Sequence, residues 1–255
     1  MVLSRRSLLV ACAALAVTRP AIASSMRLAS YHNQPPFMVT PTSGMTFDLA
    51  DYLEARLGLP VAAEIIPRNR LDSELLASQR GILVPWISPS WLPPRLLELM
   101  VFSPPLLSDE NVVISNAAKP IEYDGPDSLI GYRMGIVTGR IHAKIDKLVA
   151  AGKIVVSKAR SPALNLEMLA SDRVDFVIMP GATWRALVPA DRRAQFHLAR
   201  RPQESFTRHI MLPRTDNMLA EKISVIVSAM PEDASWHRIL EAYDLDNQHF
   251  SPFPT

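Results

Sequence analysis

Apolar residues along this chain fall into two alternating patterns. Short runs that are uncharged or of period two read as β-strands at Met26–Ser30, Val61–Ile66, Ile82–Ile87, Asn111–Ser115, Met134–Val137, Lys153–Ser157, Phe196–Ala199 and Ser205–Leu212. Between them, apolar positions three and four apart mark amphipathic helices. Phe47, Ala50, Leu53 and Leu57 share one face of a helix that Gly58 stops before Pro60. Asp72 reads as the cap of a second helix, with Glu74 in its first turn. A third runs from near Ile141 to Ala151 and stops at Gly152. Asp216 caps another that turns Leu219, Ile223, Ile226 and Val227 inward, and a last helix carries Trp236, Ile239, Leu240 and Tyr243. Strands alternating with helices predict an α/β fold.

The chain also echoes itself. Leu76-Ala77-Ser78-x-Arg80, ahead of the strand Ile82–Ile87, returns as Leu169-Ala170-Ser171-x-Arg173 ahead of a strand that reaches Pro180. A helix–strand unit present in both halves predicts two α/β lobes. The first passage between them falls near Ser115–Ala118, and the return falls in the polar stretch Arg200–Glu204. Residues 24–114 and 201–255 then build the first lobe and residues 115–200 the second. The Pro-bearing end Asn247–Thr255 reads as a loose tail.

Candidate chemistry lies in the loops that follow strands, because α/β sheets bind ligands beyond the carboxyl ends of their strands. After Ser30 comes Tyr31-His32-Asn33-Gln34-Pro35-Pro36-Phe37, where two prolines fix the backbone and aim Tyr31 and Gln34. His32 has no second ligand at metal spacing and reads as a loop histidine. After Ile82–Ile87, a Ser/Pro/Trp loop presents Trp86, Ser88, Ser90 and Trp91 and leads to Arg95. Arg95 either meets a ligand anion or pairs with Glu98 one helical turn on. The strand Met134–Val137 ends at Gly139 before a helix, a junction that offers backbone N–H groups to an anion, with Arg140 beside it. Thr183 and Trp184 follow Pro180 and either line the cleft or, for Trp184, pack in the core.

Leu76, Gly81, Ser88, Ser90, Arg95, Phe102, Ser103 and Pro105, with the turn Ser43–Asp48 and the run Leu129–Arg140, resemble the amino-acid-type extracellular solute-binding proteins of bacterial ABC transporters. The resemblance spans roughly Met26 to Leu245. It implies a two-lobed periplasmic-binding-protein-like (type II) fold with two crossovers and hinge closure over a ligand. It further implies that Arg95 holds a ligand carboxylate through two parallel charge-assisted bonds, completed by Ser88 and Ser90. Gly139 and Arg140 would donate from the second lobe, Trp86 would wall the cleft, and Arg70 faces either the cleft or solvent.

The chain departs from the family pattern in three places. The acid after Gly81 is replaced by Leu83 and Val84, although its counterpart stands as Asp175. Hydroxyl residues after Gly139 are replaced by Arg140 and Ile141, which favours a ligand with more negative charge or less need of hydroxyl donors. Where relatives place a carboxylate against the ligand's α-ammonium, Met179-Pro180-Gly181 stand, with no acid until Asp191; Met179 occupies that ligand position.

The implied function is capture of a small polar or anionic organic solute, amino-acid-like or carboxylate, by a periplasmic monomer that serves an ABC permease without a cofactor. A periplasmic sensor or accessory protein docking on a membrane receptor is the alternative. An enzyme is a further one, since a few relatives on this fold are cyclohexadienyl dehydratases; of the general acid they need, only His32 is a candidate.

Composition adds the compartment. Ser4-Arg5-Arg6-Ser7-Leu8-Leu9, an apolar stretch to Val17 and Ala21-Ile22-Ala23 make residues 1–23 a signal peptide resembling the twin-arginine type, with an ordinary secretory signal as the other reading. Leu9–Cys12 also fits a lipoprotein box, but the apolar stretch continues past Cys12. Cleavage after Ala23 removes the single cysteine, and with it disulfide and thiol chemistry. It also removes Arg5, Arg6 and Arg19 from the 27 basic residues, leaving 24 against 25 acidic, so the formal charge of +2 does not point to nucleic acid.

Overall fold

The computed structural model describes residues 25–77, 81–140, 142 and 145–245. The expected signal peptide, Ser78 and Arg80 of the echo, the start of the helix at Ile141 and the tail 247–255 lie outside the described residues.

In chain order the first lobe opens with β1 (Met26–Ser30), α1 (Met45–Leu57), β2 (Val61–Ile65), α2 (Arg68–Ala77), β3 (Ile82–Ile87), α3 (Pro94–Leu99) and β4 (Met100–Phe102). Then come β5 (Leu107–Asn116), β6 (Arg133–Val137), α4 (Asp146–Ala150), β7 (Val155–Ala159), α5 (Pro162–Ala170), β8 (Phe176–Pro180), α6 (Gly181–Leu187) and β9 (Phe196–Leu198). The chain returns through β10 (Glu204–Pro213) and ends with α7 (Asn217–Ala229) and α8 (Ala234–Ala242). The strands lie in the order β2-β1-β3-β10-β5-β8-β6-β7, with β4 beside β10 and β9 beside β5. Thus β2-β1-β3 and β7-β6-β8 are two parallel three-stranded units of the same order, which places the echoed helix–strand segments α2–β3 and α5–β8 in equivalent positions.

The uncharged strands β3 and β8 are buried on both faces, one in each lobe. Leu28, Leu83, Ile210 and Leu212 face α1, α7 and α8, while Ala29, Ile82, Val84 and Met211 face α2 and α3. In the second lobe Val113, Met134, Phe176 and Ile178 take one face, and Val112, Ile114, Val177 and Met179 take the other. The alternation along β3 breaks after Val84. Trp86 packs with Leu83, Ile87 packs with Val84, and the register against β10 steps three residues on β3 for two on β10. This is a β-bulge at Pro85-Trp86; Pro85 has no N–H to leave unpaired, and Trp86 takes a left-handed φ of 68°.

The chain changes lobe inside strands. Leu107 at the start of β5 belongs to the first core, and Val112–Ile114 belong to the second. β10 returns alongside, paired antiparallel from Glu204 with Asn111 to Arg208 with Leu107. The crossings therefore precede Ser115–Ala118 and follow Arg200–Glu204. A paired ribbon keeps its backbone groups satisfied between lobes, which a bare loop does not.

Helix α2 starts at Arg68, one turn before Asp72, so Asp72 is not its cap but faces Arg68 across 3.5 Å as an (i, i+4) partner. In the second lobe Asp175 accepts from Arg133 at 2.7 and 3.1 Å and ties β6 to the start of β8. The first lobe lacks that acid; there Arg27 of β1 reaches Glu64 at 2.6 Å and Glu74 at 2.8 Å instead.

Candidate functional site

The carboxyl ends of β1, β3 and β6 and the ribbon of β5 and β10 converge on one group of side chains. β1 delivers Tyr31 and His32, whose rings stack with centroids 4.4 Å apart. His32 also lies 5.2 Å from Phe37 and 6.2 Å from Trp91, and Trp91 meets Phe206 edge-on at 4.8 Å. Within these rings sits Arg208 of β10, 1% exposed, its guanidinium carbon 4.6 Å from the Phe37 ring centre and 5.0 Å from that of Phe206.

Arg208 is held by Asp109 of β5, itself buried. Its Nε and Nη2 donate to Asp109 Oδ2 at 3.0 and 2.8 Å, and Nη1 donates to the Trp86 carbonyl at 3.2 Å. Asp109 Oδ1 accepts from the backbone N–H of Glu110 at 2.8 Å and of Ala182 at 3.2 Å. The bulge thus aims a carbonyl at the guanidinium, and the carboxylate links the crossing ribbon to the first turn of α6.

Two further arginines face this group. Arg68 of α2 lies over the Tyr31 ring at 4.8 Å and donates to Tyr31 Oη at 3.2 Å and to the Trp91 carbonyl at 3.1 Å. Arg140 follows Gly139 at the end of β6, and no hydrogen bond or ion pair engages its side chain among the described residues. It is close enough to Tyr31, His32 and Arg208 to act on all three electrostatically. Burial and then the neighbouring Arg208 lower its pKa, although a guanidinium stays charged. Burial raises Tyr31 against the pull of Arg68, Arg208 and Arg140. Burial first, then the same three arginines, hold His32 well below the ordinary histidine value, so its ring is neutral. His32 Nε2 is a shielded polar atom without a partner here, and Gln34 Oε1, two residues on in the chain, is another.

The residues singled out in the sequence divide between this group and other places. Tyr31 and Arg140 belong to it, Gly139 turns the chain into it with φ 81°, and Gln34 is half-buried in the loop that follows His32. Trp86 is fully buried, donates to Thr46 Oγ1 at 3.0 Å and reaches the site only through its carbonyl; it is core, not wall. Ser88 is buried and Ser90 exposed, with their hydroxyls 3.1 Å apart. Arg70 is exposed and pairs with Glu74 at 2.8 Å, because two helical residues lie about 200° apart and Arg68 takes the inward face. Arg95 lies exposed on α3, and among the described residues it pairs with neither Glu98 nor another acid. Met179 and Thr183 are buried, Met179 in the second core.

Arg208, Asp109 and Arg68 escaped the sequence reading. Arg208 shares a period-two face with Phe206, Ile210 and Leu212, which marks a buried cation that requires a partner. Among the described residues no three of His, Cys, Asp or Glu are grouped to hold a metal ion. No helix among them is long and apolar enough to cross a membrane.

His142, beside Arg140, is buried with Nε2 unpartnered, and burial followed by Arg140 lowers its pKa to about 4. His142 and His32 stay neutral in the fold but take protons in the unfolded chain below about pH 6.5. The unfolded state binds more protons there, so stability is full above that pH and falls as pH drops from about 6.5 towards 4. The melting temperature is expected to decline across this window and to decline less in His142→Gln. A profile unchanged by that substitution would contradict the burial of His142.

Comparison with protein families finds no match, and neither does comparison with curated protein sequences. Comparison of folds does. A mutant of ArgBP from T. maritima superposes with a TM-score of 0.66 at 17% identity, covering 86% of this chain and 95% of that one. An arginine 3rd transport system periplasmic binding protein from Legionella pneumophila gives 0.62 at 18% identity, covering 86% and 99%. An ancestral cationic amino acid solute binding protein gives 0.67 at 13% identity, covering 89% and 96%. The fold is the two-lobed one of periplasmic binding proteins.

Proposed function

We propose that this protein is an exported, monomeric solute-binding protein that closes its lobes over a small polar or anionic organic solute and presents it to an ABC-type permease. The observation that carries the reading is Arg140. It comes from the second lobe, is unengaged among the described residues, and acts on Tyr31, His32 and Arg208 of the first lobe and the crossing ribbon. Groups from both lobes meet only where the lobes meet, which is the arrangement of a ligand clamp. Tyr31, Gln34, Arg140 and the backbone at Gly139 are its ligand contacts, and residues 1–23 are the leader, of twin-arginine type, that takes the chain to the periplasm. Binding without turnover is expected.

A thermal-shift panel of amino acids, carboxylates, polyamines and sugars on the chain from Ser24 tests this reading. A ligand at 100 times its dissociation constant adds about 2.7 kcal/mol. A hit should be recovered chemically unchanged and should lose most of its shift in Arg140→Ala. A hit indifferent to that substitution would count against the cleft. No hit from any class would favour the sensor or accessory role.

A further inference from the structure

We infer that the second lobe carries a docking groove for an acidic, extended segment of a partner protein, laid along the outer edge of β7 and held by Lys158, Arg160 and Arg173. The inference is independent of what the cleft binds.

The sheet itself leaves the edge open. β7 ends the strand order and pairs with β6 alone, so one edge of it carries backbone N–H and C=O groups with no strand opposite among the described residues. Beside it, Leu164, Glu167, Met168 and Ser171 stand three and four apart along α5 and its end and make one stripe. A groove of about 470 Å³ lies between that stripe and the end of β7. Ala159 in it is buried, and Leu164 and Met168 are half-buried. A strand added here finds main-chain partners along β7 and apolar contacts along α5, the way extended peptides dock on sheet edges.

Charge decides what kind of segment fits. Lys158 on β7, Arg160 just past it and Arg173 after α5 all line the groove, and all three are exposed. Among the described residues none of their side chains has a hydrogen bond or an ion pair. Glu167 is the one acid that lines the groove with them. A single lysine is enough to guard a free edge against unwanted pairing. Arg160 and Arg173 lie outside the strand, so guarding the edge does not account for them. The opposite end of the sheet gives the contrast: on β2 the one charged residue, Glu64, is held by Arg27 at 2.6 Å. Neither end of the sequence supplies the occupant, since residues 1–24 contain no acid and residues 246–255 only Asp246. The groove also borders the cleft. The Ala159 carbonyl accepts from Thr138 N at 2.9 Å, one residue before Gly139 and Arg140. A partner on this edge therefore sits one strand away from the turn that carries Arg140.

Fluorescence anisotropy with labelled peptides on the chain from Ser24 tests it. The probes are a heptapeptide alternating Glu and Val, its Gln–Val counterpart, and two Glu–Val versions N-methylated on alternate amides, one for each edge. The Glu–Val peptide should bind about 10-fold or more tightly than the Gln–Val one. Its binding should weaken as added salt shortens the Debye length from about 8 to about 3 Å. Methylation of one edge should abolish binding, and methylation of the other should leave it in place. Lys158→Glu combined with Arg160→Glu should weaken binding about 10-fold or more while the melting temperature holds, because both side chains are exposed. The peptide series on the unaltered protein stands even if that variant fails to fold. Equal binding of the Glu–Val and Gln–Val peptides overturns the inference, and so does indifference to both methylations or no binding of the Glu–Val peptide. Attachment to phosphatidylglycerol vesicles in place of the peptide, or self-association that the double variant removes, overturns it too and names the other occupant.

Discussion

Asp109→Ala is expected to destabilise the fold by about 3–5 kcal/mol, because it leaves the Arg208 guanidinium buried without a counter-charge. Both side chains of the pair are 1% exposed, so water cannot replace the carboxylate. The substitution also frees the backbone N–H groups of Glu110 and Ala182. Adding Arg208→Met removes the stranded charge, and the double variant should recover most of the loss. Urea unfolding of the two variants measures both effects. A single-variant loss below about 1 kcal/mol would mean that the pair is solvated in solution.

Gly44→Ala should be nearly as damaging, at about 2–5 kcal/mol, for a steric reason. Gly44 precedes α1 with φ 129°, and a Cβ there would stand 2.7 Å from the Phe37 carbonyl oxygen, 2.8 Å from Met38 Cα and 2.9 Å from Val39 N. None of these is a side-chain tip that can swing away. The same backbone is engaged, with the Phe37 carbonyl accepting from Thr46 N and Val39 N donating to Ser43. Relief therefore has to move the loop that carries Gln34 and Phe37, so solute binding should weaken along with the melting temperature. An alanine variant as stable as the parent would mean that this turn is not packed as described.

The elements were legible because they are local. Period-two and helical patterns located β1, α1, β3, β6, β10 and the last two helices, and the echo of Leu76-Ala77-Ser78 at Leu169-Ala170-Ser171 marked equivalent units. What the pattern missed depends on partners far away in the chain. Asp109 and Arg208 are 99 residues apart, so neither predicts the other. The resemblance makes Trp86 a cleft wall, whereas the bulge at Pro85-Trp86 turns its side chain into the core. The sequence leaves Arg70 between cleft and solvent, and the structure turns it to solvent because Arg68, two residues earlier on α2, takes the inward face. Arg95 drew the carboxylate role from spacing to Ser90, yet the buried guanidinium at the cleft comes from the returning strand.

The placement of β10 between β3 and β5 also sets an order of assembly on the ribosome. The core around Leu28 and Leu83 is closed by Ile210, Leu212, Ile223 and Trp236, which are synthesised last. The second lobe draws on one continuous stretch from β5 to β9. It is the part of the nascent chain that can fold while the segment made first still waits for its missing strand.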